Sequence, residues 1–151
     1  MKKRFWFTML VLLLVSGGSL MDAQQPSKRK YVNLPGRNVQ APFSDAVLVG
    51  DTMYLAGRIG VDASGKLPED VEQEARNILD GMKAVLASEG MTMDHLVSVQ
   101  VFCPDVSLFN RWNAVYRTYF KGDFPARAFI GSGPLLFGAH FEVQAIASKT
   151  K

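Results

Sequence analysis

The stretch PEDVEQEARNILDGMKAVLASEGMTMDHLVSVQVF, residues 68–102, changes its apolar period partway along. Ala75, Ile78, Leu79, Met82, Val85 and Leu86 recur at i, i+3, i+4 and i+7 and make one face of an α-helix. Pro68, Glu69 and Asp70 suit the helix start, where acidic side chains meet the positive end of the macrodipole. Gly90 is placed to end the helix in a left-handed cap. Leu96 to Phe102 then alternates with period two, the pattern of a strand with one buried face, and Pro104 stops it.

The same two periods recur outward from this stretch. Upstream, Val47 to Val49 and Thr52 to Gly57 flank Gly50-Asp51, which predicts a tight hairpin. Gly57 and Gly60 mark places where the backbone can approach something closely. Downstream, residues 107–120 carry a second helical pattern through Leu108, Trp112, Val115, Tyr116, Tyr119 and Phe120. Ala126 to Gly131 and Phe141 to Ala147 read as two further strands. Hairpins mixed with helices predict an α+β fold: a mixed, mostly antiparallel sheet with both helices on one face.

The ends and the composition bound the rest. Lys2, Lys3 and Arg4 precede a run from Phe5 to Val15 that is apolar except for Thr8, and Ser16 to Ser19 then break any helix. That order is expected of a signal peptide, assigned to 1–23, so the protein is expected to be exported, periplasmic or secreted. A retained N-terminal anchor is the alternative. Residues 24–37 are expected to be a flexible linker, and 38–151 the domain. Without residues 1–23 the chain has 14 basic and 13 acidic residues, a net charge of +1. Such a domain lacks the basic stripe that nucleic acid requires, so no nucleic-acid partner is expected, nor a membrane for the mature form. Cys103 is the one cysteine, which rules out an intrachain disulfide; at the end of an apolar run it reads as a small buried side chain.

No phosphate-cradling glycine loop, zinc-ligand spacing or serine nucleophile elbow is present. What remains is polar residues inside apolar strands. Arg127, in FPARAFI (124–130), must find a carboxylate, a phosphate or solvent. Glu142 sits between Phe141 and Val143. Two readings stay open: an Arg127–Glu142 ion pair joining two strands, or a guanidinium fork binding a ligand carboxylate while Glu142 holds a water.

The C-terminal stretch resembles the YjgF/RidA family of reactive-intermediate deaminases. The resemblance rests on Phe124-Pro125-Ala126-Arg127, on Phe141 to Ala147, and on the spacing between Arg127 and Glu142. Pro42-Phe43-Ser44, Ala56-Gly57-Arg58-Ile59, the helix from Val71 and Trp112 to Tyr116 agree in order, so that it covers about residues 38–148. It implies a chorismate-mutase-like fold, a homotrimer with ligand sites between subunits, and hydrolysis of enamines and imines such as 2-aminoacrylate to 2-oxo acids and ammonia. It implies no cofactor and no metal. By this resemblance Arg127 binds the substrate carboxylate, Glu142 positions the attacking water, and Gly57, Arg58, Asn113, Phe43 and Phe129 line the substrate site. The ligand expected is a small carboxylate-bearing imine, enamine or 2-oxo acid.

The chain also departs from the family pattern. Phe43 stands where a tyrosine is frequent, Ala56 and Arg58 replace Ser and Gln, and Ala128-Phe129 replaces Ser-Cys. Arg58 either admits a dianionic acid or reaches solvent. A trimeric carboxylate-binding protein without catalysis is the alternative function.

Overall fold

Gly50 takes a φ of +58°, a left-handed conformation that costs a residue with a Cβ, and turns the chain between β2 (Ala46–Val49) and β3 (Thr52–Ile59). The structure, a computed structural model, describes residues 28–36 and 40–150. The segment 1–23 assigned to a signal peptide lies outside the described residues. Within the stretch expected to be a linker, Arg29–Val32 instead forms strand β1, antiparallel to β2. Three of its four residues are exposed, so no buried alternation marks it; backbone pairing to β2 holds it.

Helix α1 (Val71–Ala87) begins at Asp70, whose carboxylate accepts the Glu72 N–H. Its face from Val71 to Leu86 is buried, and full burial of each of its Val, Ile, Leu and Met side chains contributes roughly 1.5–3 kcal/mol. Strand β4 (Leu96–Cys103) follows. The second helical pattern is shorter than expected: α2 is Phe109–Tyr116, flanked by 3-10 turns at Val106–Leu108 and Arg117–Tyr119. Strands β5 (Ala126–Gly131) and β6 (Glu142–Ser148) complete the domain.

The sheet order is β1-β2-β3-β6-β4-β5. Among the described strands only β4 and β5, joined through α2, are parallel. Both helices cover one face, where Met53, Val99, Val101 and Val143 meet Ile78, Leu79 and Trp112. The opposite face carries Tyr54, Gln100, Gln144 and Ile146, with a 2.8 Å hydrogen bond from Gln144 to Gln100. No helix among the described residues is long and apolar enough to cross a membrane.

Candidate functional site

Register decides where Arg127 and Glu142 point. Arg127 pairs with Val99, which is buried under the helices, so Arg127 lies on the helix face at the edge strand β5. Glu142 pairs with Phe102 and Ile59, and its neighbour Val143 is the buried one, so Glu142 lies on the opposite face. The two rows are three residues apart along the strands, about 10 Å, with β4 between them. An Arg127–Glu142 ion pair is therefore absent, and one copy of the chain does not bring the two together.

Arg127 is half-buried and lies over the rings of Tyr116 (4.6 Å to the centroid) and Phe109 (5.8 Å). It has no carboxylate partner among the described residues. Desolvation lowers the pKa of its guanidinium; the nearby Arg117 lowers it further, while Tyr116 acts the other way. A guanidinium does not give up its proton in a protein, so Arg127 stays charged while partly desolvated. Asn113 and Tyr116 line the same open cavity, of about 300 Å³. Asn113 is nearly buried, and the buried Tyr116 hydroxyl has no hydrogen-bond partner among the described residues. Burial pushes the Tyr116 phenol up to about 12. Arg117 and Tyr116 are parts of this site that sequence reasoning missed: the helical period assigns Tyr116 to the core, and nothing local tells Arg117 from a solvated cation.

Glu142 belongs to a different neighbourhood. A register shift in β3 between Leu55 and Arg58 presents Gly57 to it, and a Cβ built on Gly57 would overlap Glu142 Oε1. Gly57, Phe43 and Arg58 line a second cavity, of about 240 Å³, with Asp45. Arg58 pairs with Val143, so it turns toward the helices; its Nη2 stands 3.5 Å from Asp45 Oδ1 and its guanidinium lies against Gly81 of α1. Arg58 thus has a carboxylate partner inside the chain. Phe129 lines neither cavity: it packs edge-on against Phe109 at 5.2 Å and against the core.

Beneath the start of β6 lies the buried Glu74 of α1. Its carboxylate accepts the backbone N–H of His140 (2.8 Å) and of Phe141 (3.0 Å) and the His140 Nδ1 at 2.7 Å. A carboxylate only accepts here, so Nδ1 carries the proton. His140 precedes β6 and turns to Glu74 rather than sharing Glu142's face. Cys103 is fully buried, its thiol pushed up by desolvation and donating to Asp105 O at 3.0 Å.

Comparison with known proteins adds to this geometry. Residues 36–149 match the family model described as Endoribonuclease L-PSP. The chain is 39% identical over 108 residues to the 2-iminobutanoate/2-iminopropanoate deaminase of Homo sapiens, covering 70% of this chain and 79% of that protein. The crystal structure of the YjgF gene product from E. coli has a TM-score of 0.75 at 29% identity, covering 80% of this chain and 98% of that one. E. coli TdcF, solved with bound serine, has a TM-score of 0.74 at 26% identity, covering 80% and 99%.

Proposed function

Because this chain belongs to the Endoribonuclease L-PSP, or YjgF/RidA, family, we propose that it hydrolyses imines and enamines of small amino acids to 2-oxo acids and ammonia, in clefts between copies of itself. The observation that carries this reading is Arg127: a half-buried guanidinium with no carboxylate partner among the described residues, opening into a cavity that the nearly buried Asn113 also lines. The human relative named an imine deaminase and the TdcF structure holding an amino acid support a small carboxylate as its ligand. Arg127 with Asn113, and Glu142 with Gly57, are half-sites on opposite faces of one copy. A homotrimer that joins the first half of one copy to the second half of the next completes the site.

In that site the Arg127 fork holds the substrate carboxylate and fixes the neighbouring imine carbon. Glu142 accepts a proton from the attacking water as its oxygen bonds to that carbon. The C=N π electrons move to nitrogen, which takes the proton from Glu142, giving a carbinolamine. Glu142 then accepts the hydroxyl proton as the carbonyl forms and the C–N bond breaks, and that proton passes to the departing nitrogen, which leaves as ammonia. Positioning supplies most of the acceleration, since these imines also hydrolyse unaided.

The test is ammonia release from 2-iminopropanoate and 2-iminobutanoate generated in situ. Arg127→Ala is expected to lose about a hundredfold in kcat/KM, the scale of one charge-assisted pair. Wild-type rates in both Arg127→Ala and Arg127→Lys overturn the proposal. The second reading, binding without turnover, is favoured by Phe43, which brings a ring and no hydroxyl to the Gly57 cavity. Calorimetric binding of 2-oxobutanoate with no imine turnover establishes it. We also infer export, on the Lys2–Arg4 and Phe5–Val15 pattern; cell fractionation and N-terminal sequencing test it.

A further inference from the structure

Arg58, Arg76 and Arg111 each reach a carboxylate of this chain. Arg117 and Arg127 reach none among the described residues, yet both line the same cavity of about 300 Å³. Each lies over an aromatic face: Arg127 over Tyr116 at 4.6 Å, Arg117 over Phe124 at 5.8 Å. Those two rings are themselves stacked, with centroids 6.2 Å apart, so the two cations rest on one aromatic platform. Their charges oppose each other there, with no acidic side chain among the residues that line the cavity. A monoanion answers one of the two cations. A dianion answers both and removes their mutual repulsion.

We propose that this site selects a dicarboxylic substrate: Arg127 takes the carboxylate next to the reacting carbon, and Arg117 the carboxylate at the far end of the side chain. The inference rests on the deaminase reading for its reaction, and makes Arg117 a specificity-determining residue. The substrate class is the imines of acidic amino acids. Hydrolysis runs as above: water adds to the imine carbon, ammonia leaves, and the second carboxylate is unchanged. Asn113 lines the same cavity and offers its amide N–H as a further donor toward the anion.

The experiment compares kcat/KM for imines generated in situ from aspartate and glutamate with those from alanine and 2-aminobutanoate. Wild type is expected to prefer the acidic pair. In Arg117→Ala the ratio of acidic to neutral substrate falls about tenfold, the lower range for one charge-assisted contact at an exposed position, and the change sits in KM. Arg117→Glu reverses the preference. A ratio that is the same in wild type and both variants overturns the proposal and leaves Arg117 a solvated cation. If no imine is turned over, the deaminase reading fails and calorimetry decides this one separately. Wild type then binds 2-oxoglutarate more tightly than 2-oxobutanoate and Arg117→Ala loses the difference; equal affinities in wild type overturn it.

Discussion

A methyl group at Gly57 would occupy the space of Glu142 Oε1, so Gly57→Ala must turn that carboxylate aside. Turnover is expected to fall about a hundredfold, as for an ångström-scale misplacement of a reacting group, with the thermal midpoint little changed. Equal loss of activity and of fold would show instead that Gly57 serves packing alone. Tyr116→Phe separates two roles of one atom. The buried hydroxyl is unpaired, so its removal costs no internal hydrogen bond and leaves stability equal or higher. If that hydroxyl serves the bound anion, 2-oxo acid affinity falls in the same variant. The residue types of this site were legible in the chain, because an arginine and a glutamate inside apolar strands are hard to explain as packing. Their partners were not: that Arg58 goes to Asp45 while Arg127 stays unmatched follows from register, which pairs residues far apart in sequence.

At the scale of elements, α1 and the start of β6 are joined by Glu74. Glu74→Ala leaves two backbone N–H groups without their acceptor and is expected to cost about 3–5 kcal/mol of unfolding free energy by denaturant titration. Glu74→Gln, which keeps one carbonyl acceptor, is expected to lose less. An unchanged midpoint in Glu74→Ala would show that these bonds do not hold the start of β6 to α1. The end of α2 and the turn after it set an alkaline limit. Tyr116 and Tyr119 are both raised to about 12, by desolvation first and, for Tyr119, by its bond to Asp80. The unfolded chain ionises its phenols near the ordinary value of about 10, so folding favours the protonated form. That contribution is complete below about pH 10 and is lost as pH rises toward 12. Stability that stays flat across this window contradicts the assignment. Helix α1 was readable because its apolar positions repeat at 3.6 residues. Strand β1 was not, since an edge strand with three exposed residues has no buried face to reveal it.

At the scale of the whole molecule, Arg127 and Glu142 face away from each other across β4, so the proposed site would join Arg127 of one copy to Glu142 of another. Mixing the weakly active Arg127→Ala with Glu142→Ala, then exchanging subunits, is expected to raise turnover above that of either variant alone. Some mixed interfaces join an intact Arg127 to an intact Glu142. No recovery on mixing, with exchange verified by mass, places the site within one copy and overturns the shared cleft. Sedimentation is expected to give a trimer.

The chain by itself determined the helix and strand periods, the hairpin at Gly50 and the burial of Cys103, and it singled out the two polar strand residues on which the proposed chemistry rests. These are local properties: side-chain volume, polarity and spacing over one or two turns. Only the tertiary structure decided that Arg127 and Glu142 lie on opposite faces, that Arg58 is neutralised within the chain, and that Arg117 stands beside Arg127. Strand register and helix docking are settled by the joint packing of segments tens of residues apart, and no short window of sequence contains that information.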